Sequence, residues 1–395
     1  MPNLGRGGAQ QVFRDQLKFL SAHYNTMGCV FNWDDTFQDD HMPNIVSINV
    51  PAGKNWLSKI YFFWRRVYRL RKIKKNYNID FSVSHLEGAD YVNLLSKRKE
   101  KVICWIHGTK KFDQNIEGAL GFLRKKILIP FTYKFSDLIV AVSEGIRQEL
   151  IKDFGVPSHK VKTIYNGVDL KDISFKAAEN LDPRIEDLFA SSTVLITHCR
   201  LSRQKNLLAL IDTFQLLKNQ PDTKLMILGD GELRDALLQH CNTLNLAVYS
   251  VWNVDLPFNT NYSIYFLGYE RNPYPYLRRA SLYLLTSSWE GFPLSLCEAM
   301  ACDIPILASD CYTGPREIIA PELTTSQPIN EPAISSSGVL MPLINSGEAI
   351  KIWSTTIKSI LDNGVLRKQL KRKGKERIQD FDKKESASQW LRILQ

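Results

Sequence analysis

Two carboxylates stand eight positions apart in residues 288–306, where an apolar run of strand length is followed by a helical pattern. The run ends at Thr286, and Pro293 is suited to the first position of the helix that follows. Glu290 is therefore predicted in the loop at the carboxyl end of a strand, and Glu298 inside the next helix. Ligands of open α/β sheets bind at this end of the strands, where helix N-termini direct N–H groups towards anions. A carboxylate buried in an otherwise apolar helix is costly unless a partner satisfies it, so the pair predicts a ligand site.

Two cations are expected at the end of another strand. Arg200 and Lys205 follow the apolar run 194–197. An arginine can bind a phosphate through two parallel N–H groups, whereas a lysine acts as a point charge. Such a pair at the end of a strand suits an anionic ligand; the alternative is a surface pair at the start of a helix. His107 ends the apolar run 102–106, where it is either a site residue or a structural histidine.

These residues belong to a series of segments that resembles glycosyltransferase family 4, whose retaining nucleotide-sugar enzymes carry an E-x7-E signature. Glu290 and Glu298 match the two glutamates of that signature. Each of the other matching segments is weak alone, but they occur in the family's order, at 2–9, 141–145, 165–169, 199–206, 228–233 and 268–274. The resemblance implies an α/β chain with the GT-B fold, in which two doubly wound Rossmann-like domains face a central cleft.

The resemblance also implies roles for the matching residues. Glu290 would act at the donor sugar, either as a nucleophile or, as we expect, by orienting it and stabilising charge, and His107 would be a second catalytic group. Glu298 would accept hydrogen bonds from the ribose hydroxyls. The implied donor-binding residues are Arg200, Lys205, Tyr269, Asn272, Gly291, Phe292, Leu294 and Glu298. Gly7 and Gly8 would let the backbone approach a phosphate or the acceptor, the alternative being an ordinary turn.

The length of 395 residues predicts two domains. Short apolar runs alternate with helical patterns in both halves, which indicates parallel β-α units. The predicted strands are 44–50, 81–84, 102–106, 138–142, 194–197, 224–228, 263–266, 282–285 and 304–307. We expect a first, acceptor-side domain over 1–175, a polar linker over 176–192, a nucleotide-sugar domain over 193–375, and a helix over 376–395 that returns to the first domain.

The start of the chain departs from the family pattern. Only Met1 precedes the segment that resembles the family's glycine-rich loop, where the family has a buried strand. We therefore expect either a misassigned or truncated start or a first domain that lacks this central strand.

Cysteine and histidine usage argues against a metal protein. The seven cysteines form no C-x2-C pair, and the seven histidines show no metal-ligand spacing. We expect reduced thiols, a cytoplasmic location, no bound metal and no cofactor, the nucleotide-sugar being a substrate. No apolar run reaches the roughly eighteen residues that a membrane span requires.

The net charge of +10 lies entirely in the first half of the chain. Residues 1–170 hold 26 Lys and Arg against 16 Asp and Glu, whereas residues 171–395 hold 25 of each. The densest stretch, 59–75, has eight basic residues, no acidic one and a helical pattern. One predicted face carries Ile60, Phe63, Trp64, Val67 and Leu70, and the opposite face carries Arg65, Arg66, Arg69 and Lys72.

Basic amphipathic helices with aromatic residues bind membrane surfaces, so an anionic inner-leaflet surface is a predicted partner. The predicted membrane contacts are Trp64, Arg65, Arg66 and Arg69. The alternative is a domain helix whose basic face is only solvated. Nucleic acid is not an expected partner, because no known nucleic-acid module accompanies the charge.

Together these features predict a retaining, metal-independent hexosyltransferase. It would move a sugar from a nucleotide-diphospho-sugar, expected to be a UDP-sugar, to a glycan acceptor that is expected to be lipid-linked, in bacterial polysaccharide or lipopolysaccharide biosynthesis. It would work peripherally at the cytoplasmic face of the membrane. The alternatives are a transferase of the same fold on a soluble acceptor, a sugar-nucleotide epimerase, or a non-catalytic protein that binds nucleotide-sugars or nucleic acid.

Overall fold

The computed structural model describes residues 1–5, 7–33, 44–114, 118–217, 220, 222–323 and 327–395. Arg6, in the predicted glycine-rich loop, and His41 lie outside the described residues. The chain divides into a first compact unit, Met1–Asn166 with Ser386–Gln395, and a second, Gly167–Glu385.

The first unit is an α/β structure. Its strands are Gly28–Val30 (β1), Ile45–Ser47 (β2), Phe81–His85 (β3), Lys101–Ile106 (β4), Leu138–Ala141 (β5) and Val161–Thr163 (β6). Its helices within 1–166 are Gly8–Leu20 (α1), Trp56–Asn76 (α2), Glu87–Leu95 (α3), Gly118–Leu123 (α4), Ile129–Lys134 (α5) and Glu144–Lys152 (α6), and a π-helical turn, Arg124–Leu128, joins α4 to α5.

All strand pairs of the first unit are parallel among the described residues. β1 pairs with β2, and β3 to β6 form a sheet in chain order. The central strands β4 and β5 are buried, which explains why they read as continuous apolar runs. Since the chain advances in one direction across this sheet, right-handed crossovers place α3 and α5 on the same face. The four strands predicted here are confirmed, although β2 covers only three residues of the predicted 44–50, and the three-residue strands β1 and β6 were not predicted.

The first residues of the chain lie beside β1 without forming a regular strand. The N–H of Phe31 bonds to the carbonyl oxygens of Met1 and Pro2, at 3.2 and 3.1 Å. Met1 and Leu4 are buried in the same cluster as Val30 of β1. The segment before α1 is thus packed against the first unit.

The second unit is built around one larger sheet. Its strands are Thr193–His198 (β7), Thr223–Leu228 (β8), Val248–Ser250 (β9), Ile264–Gly268 (β10), Leu282–Leu285 (β11), Ile306–Ser309 (β12), Ala333–Ile334 (β13) and Val339–Met341 (β14). Its helices are Leu170–Lys176 (α7), Pro183–Ser191 (α8), Leu207–Gln215 (α9), Arg234–Thr243 (α10), Tyr274–Arg279 (α11), Leu294–Ala301 (α12), Pro315–Ile319 (α13), Gly347–Asp362 (α14) and Gly364–Arg377 (α15). The last helix, Lys383–Leu394 (α16), begins here and continues into the first unit.

The strand order of this sheet creates a switch point. The order is β13-β14-β12-β11-β7-β8-β10-β9, parallel except for β13. From β7 the chain proceeds to β8 on one side, and later crosses to β11 on the other. Ligands of doubly wound sheets bind outside the carboxyl ends of the strands at such a reversal. The five strands predicted for this half are confirmed, and the loops after β7 and β11 lie at the reversal.

The unit boundaries differ from the predicted ones. Residues 176–192, predicted as a polar linker, include α8, whose Glu186 pairs with Arg279 of α11 at 2.7 Å. These residues belong to the second unit, and the division falls between Asn166 and Gly167. The final residues group with the first unit, where the Trp390 ring lies 4.5 Å from that of Trp105.

Candidate functional site

Glu290 is a buried carboxylate with a full set of partners. Lys205 Nζ lies 2.5 Å from its Oε1, to which Ser287 Oγ also donates at 2.7 Å. Gln204 Nε2 donates to the other oxygen at 3.4 Å, and Thr313 Oγ1 donates to the Glu290 backbone carbonyl at 2.5 Å. The side chain is only 7% exposed, so these donors offset the cost of removing the charge from water.

Lys205 reaches Glu290 from the loop after β7. A short 3-10 turn, Arg203–Lys205, ends at Asn206 in the left-handed region, with φ 53°, and α9 begins at the next residue. Burial by itself would lower the pKa of the Lys205 ammonium, but the Glu290 carboxylate outweighs burial and raises that pKa. The site therefore holds a charged ammonium beside a carboxylate at the switch point of the sheet.

Arg200 follows β7 but does not contact either glutamate of the signature. Its guanidinium pairs with Glu232 at 3.0 Å, and the two side chains are 67% and 52% exposed. An exposed ion pair contributes about 0–1 kcal/mol, so Arg200 can leave Glu232 for an anionic ligand at little cost.

The loop after β8 packs directly on the loop that carries Arg200. Gly229 has φ 137°, and a Cβ there would lie 1.8 Å from the carbonyl oxygen of Cys199. A Cβ on Gly231 would lie 2.4 Å from the carbonyl oxygen of Leu201. The two glycines therefore allow backbone to lie against backbone, which positions the loop after β7.

Glu298 lies on α12, with His198 and Tyr274 as its neighbours. His198 Nε2 is 2.8 Å from Glu298 Oε2, and the Tyr274 hydroxyl donates to Oε1 at 3.5 Å. The Glu298 side chain is 24% exposed. The expectation of a buried carboxylate inside the helix is thus wrong for Glu298, which borders the surface; the buried carboxylate is Glu290 in the loop.

The residues between the two glutamates form the start of α12. Gly291 and Phe292 are buried, and the Phe292 ring packs 5.3 Å from Phe381, so the phenylalanine side chain serves the core. Leu294 is the first residue of α12 and is partly buried. Gly314, with φ 86°, lies close to Gly291. A Cβ on Gly314 would be 2.8 Å from the carbonyl oxygen of Gly291.

Tyr269 and Asn272 lie in the loop after β10. Asn272 Nδ2 donates to the Lys176 carbonyl at 3.1 Å and to Glu179 at 2.9 Å, which anchors the loop to the segment after α7. Tyr269 is 50% exposed. Tyr274, the first residue of α11, is the side chain of this region that reaches Glu298.

Sequence reasoning missed four partners of the signature glutamates: His198, Gln204, Ser287 and Tyr274. His198 and Gln204 flank Arg200 and Lys205 in the chain, so their position after β7 was a usable signal. Ser287 lies in the loop after β11 and Tyr274 is the first residue of α11, and no spacing rule predicts that either side chain reaches a signature glutamate.

The predicted site residues of the first unit lie at the ends of its elements. His107 follows β4, and its Nε2 lies 2.9 Å from Nδ1 of His85. Burial, with Lys110 nearby, lowers the pKa of His107 to about 3, so the ring is neutral at physiological pH. Gly7 is the N-cap of α1 in an extended conformation, and Gly8 is the first helical residue.

The helix predicted over the basic stretch is present as α2, but its faces differ from the helical wheel. Arg66 donates to the carbonyls of Val50 and Pro51, at 3.2 and 2.9 Å, and Arg69 donates to that of Asn49 at 3.0 Å. Both arginines thus have partners in the loop before α2, and their contact with a membrane stays a prediction. Trp64 and Arg65 are exposed, as predicted.

The exposed face of α2 is rich in large apolar side chains. Trp56, Leu57, Ile60, Tyr61, Trp64 and Tyr68 are each more than half exposed. A second set with the same character, which the sequence reasoning did not identify, is Phe122, Leu123, Ile127, Leu128, Phe131 and Phe135, with exposed Lys126 and Lys134 between them.

Within the described part of the chain, no three or more His, Cys, Asp or Glu side chains are grouped to bind a metal ion. All seven cysteines are free thiols. None of the described helices is both long enough and apolar enough to span a membrane.

Two family models match the chain and together cover most of it. The one described as "Glycosyl transferases group 1" matches residues 180–377. The one described as "Glycosyltransferase Family 4" matches residues 6–172.

Known proteins match along nearly the full length. The chain is 28% identical over 371 residues to an uncharacterized glycosyltransferase of Methanocaldococcus jannaschii, covering 87% of this chain and 86% of that protein. It is 26% identical over 399 residues to the N-acetylgalactosamine-N,N'-diacetylbacillosaminyl-diphospho-undecaprenol 4-alpha-N-acetylgalactosaminyltransferase of Campylobacter jejuni, covering 99% and 97%. The solved structure of Anabaena HepE in complex with UDP and glucose aligns with a TM-score of 0.75 at 17% identity, over 100% of this chain and 97% of that chain. This likeness confirms the predicted GT-B class of two Rossmann-like α/β domains.

Proposed function

This chain belongs to the group 1 and family 4 glycosyltransferases, and we propose that it moves a sugar from a UDP-sugar to a lipid-linked glycan, with retention of configuration and without a metal ion. The observation that carries the proposal is the buried contact of Lys205 with Glu290, between the loops after β7 and β11. It pairs a cation with a carboxylate at the reversal where doubly wound sheets bind nucleotides.

The cations of the loop after β7 suit a diphosphate. Lys205 donates one of its three N–H groups to Glu290, and the described residues occupy no other, so two remain for phosphate oxygens. Arg200 can add a bidentate contact when it leaves Glu232. Together the two cations would stabilise the charge that develops on the leaving diphosphate, which a metal ion would otherwise stabilise.

Glu298 suits the ribose of the nucleotide. His198, at the end of β7, contacts Oε2 of Glu298, and Tyr274, at the start of α11, donates to Oε1. Because the carboxylate is partly exposed, lone pairs remain for neighbouring hydroxyls. HepE has been solved with UDP and with UDP-glucose, which supports a uridine nucleotide for the proposal.

Glu290 is proposed to orient the sugar and stabilise positive charge at its anomeric carbon. A carboxylate that already accepts from Lys205, Ser287 and Gln204 is a weak nucleophile, because those donors stabilise its charge. In the proposed reaction the bond from the anomeric carbon to the phosphate oxygen breaks, and a bond to the acceptor oxygen forms on the same face. The acceptor's proton passes to the leaving phosphate.

The lipid-linked acceptor is supported by the Campylobacter relative, whose name describes a diphospho-undecaprenol acceptor. It is also supported by the two exposed apolar sets of the first unit. Both adjoin α3: Arg71 of α2 donates to the Lys97 carbonyl just after α3 at 2.9 Å, and Arg124 pairs with Glu87 of α3 at 2.5 Å.

These two sets are proposed to lie on an anionic membrane surface. Right-handed crossovers put α3 and α5 on one face of the sheet, and α2 packs against α3 through the bond of Lys74 Nζ to Asn93 Oδ1 at 2.7 Å. Aromatic side chains with interspersed lysines bind the interface of anionic bilayers, where each cation near the surface contributes about 1 kcal/mol.

Product analysis tests the proposed function. Purified protein is incubated in EDTA with a panel of nucleotide-sugars and with undecaprenyl-diphosphate-linked saccharides, and the anomeric configuration of the product is read by NMR. An α-linked product from an α-configured UDP-sugar, formed in EDTA, is expected. An inverted linkage or a requirement for added metal contradicts the mechanism, and a new UDP-sugar formed without acceptor favours an epimerase.

A further inference from the structure

We propose that Gln16 and His85 are positioning residues that determine which ring nitrogen of His107 carries the proton, so that His107 presents its Nδ1 as a hydrogen-bond acceptor. The three side chains come from α1, β3 and the loop after β4, and they form a line. Gln16 Oε1 lies 3.1 Å from His85 Nε2, and His85 Nδ1 lies 2.9 Å from His107 Nε2.

Counting protons along this line determines the tautomer of each ring. The structure places the carbonyl oxygen of the Gln16 amide, and not its nitrogen, beside His85 Nε2. Because a carbonyl oxygen only accepts, His85 Nε2 carries the proton in this arrangement. A neutral imidazole has one N–H, and His85 Nδ1 is therefore a bare lone pair. His107 Nε2 must then donate to it, which leaves His107 Nδ1 without a proton.

The surroundings keep both rings neutral and in place. His85 is 1% exposed, stacked 5.1 Å from His107 at an interplanar angle of 16°, with Trp105 at 5.0 Å and the Phe13 ring edge-on at 5.3 Å. Burial lowers the pKa of His85 well below its ordinary value, and that of His107 also falls. Both rings therefore stay singly protonated, and each keeps one N–H and one bare nitrogen.

The consequence concerns recognition. No described residue bonds His107 Nδ1, so this lone pair is available to a hydroxyl group of a ligand. The inference rests on the proposed function for the identity of that group: a sugar hydroxyl would donate to Nδ1. A neutral histidine with this tautomer orients the hydroxyl and does not act as a general acid.

The tautomer can be measured on the protein alone. In protein labelled with 15N-histidine, a protonated Nε2 and a pyridine-like Nδ1 are expected for His107, identified by its loss in His107→Asn. His85→Phe keeps a ring between Phe13 and Trp105 but removes the acceptor, and Gln16→Met removes the carbonyl; both should give His107 a mixture of tautomers. Gln11→Met, on the same helix, is the matched control and should change nothing.

Each result bears on the proposal. A protonated Nδ1 in the unsubstituted protein overturns it without any variant, and an unchanged His107 signal in His85→Phe does so too. An unchanged His107 signal in Gln16→Met shows that Gln16 does not determine the tautomer. The signals of the other histidines show that each variant is folded.

Activity gives a second, separable readout. A lost neutral hydrogen bond of about 0.5–1.5 kcal/mol corresponds to a loss of about 2- to 10-fold in kcat/KM for either variant. The double variant should lose no more than His85→Phe alone, because Gln16 acts only through His85. If the unsubstituted protein transfers no sugar, the proposed function fails while the NMR result stands.

Discussion

A buried ion pair is stable only while both of its partners are present. Lys205 and Glu290 are 15% and 7% exposed, so removal of either one leaves a charge that water reaches poorly. The surface pair of Lys176 with Asp172, at 43% and 45% exposure, lacks this property because water screens each charge. At the scale of single residues, a substitution of Lys205 or Glu290 should therefore affect both the proposed activity and the stability of the protein.

Glu290→Gln and Lys205→Met should each lower the free energy of unfolding by about 3–5 kcal/mol, because each leaves an unpaired buried charge. The double variant, which leaves neither charge, should be more stable than either single variant. Urea unfolding measures this, with Lys176→Met as the surface control, expected within about 1 kcal/mol of the unsubstituted protein. Strictly additive losses would contradict the coupling.

The same variants separate stability from catalysis. Glu290→Gln should reduce kcat by about 100-fold or more, because the carboxylate charge that stabilises the transition state is lost. The double variant should regain stability but not turnover. Turnover like that of the unsubstituted protein in Glu290→Gln would end the proposed role of this residue.

At the scale of elements, two loops depend on close backbone contact. The loop after β8 lies on the loop that carries Arg200, and Gly229 is the point of closest approach, with its φ of 137° and its neighbour Cys199. The strands beneath these loops are continuous buried runs, whereas the geometry of the loops follows from how the strands are ordered in the sheet. The sheet thus determines which loops meet, and the glycines allow them to meet.

Gly229→Ala should lower the free energy of unfolding by about 2 kcal/mol or more and weaken UDP binding, because the added Cβ displaces the loop after β7. Thermal unfolding and isothermal titration with UDP measure the two effects. Gly347→Ala, at the start of α14 with no atom near the added Cβ, is the matched control and should be neutral or stabilising by up to about 1 kcal/mol. Equal behaviour of the two variants would contradict the argument.

At the scale of the whole molecule, charge and exposed apolar surface are concentrated in the first half of the chain. Residues 1–170 carry the whole net charge of +10. The same part of the chain carries both exposed apolar sets, on α2 and on the segment from α4 to just beyond α5. A surface that binds anionic lipid needs both positive charge and exposed apolar side chains.

Binding to vesicles of anionic lipid should therefore weaken in Tyr61→Ser/Trp64→Ser and in Phe122→Ser/Phe131→Ser, each by about 10-fold, because each double variant removes two aromatic side chains from the interface. Phe175→Ser, which removes a 77% exposed phenylalanine from the second unit, is the matched control and should bind normally. Co-sedimentation at several salt concentrations measures binding. Unchanged binding in both aromatic variants would contradict the proposal that this surface binds lipid.

The faces of α2 show why the sequence predicts an element better than its orientation. A helical pattern over 59–75 correctly predicts a helix, but it does not show which neighbours the helix meets. Arg66 and Arg69 bind carbonyls of the preceding loop, and Ile60 and Trp64 are exposed, because the packing of α2 on α3 and on the loop before it decides the buried side.

The sequence by itself determined the main strands, because apolar runs are local properties, and its resemblance to glycosyltransferase family 4 supplied the GT-B class and the two signature glutamates. Only the tertiary structure decided that Glu290 is the buried carboxylate, that Lys205 rather than Arg200 contacts it, and that His198 supports Glu298. It also decided the line from Gln16 through His85 to His107. These contacts join residues up to 100 positions apart, and their geometry depends on strand order and on turns that no local pattern encodes.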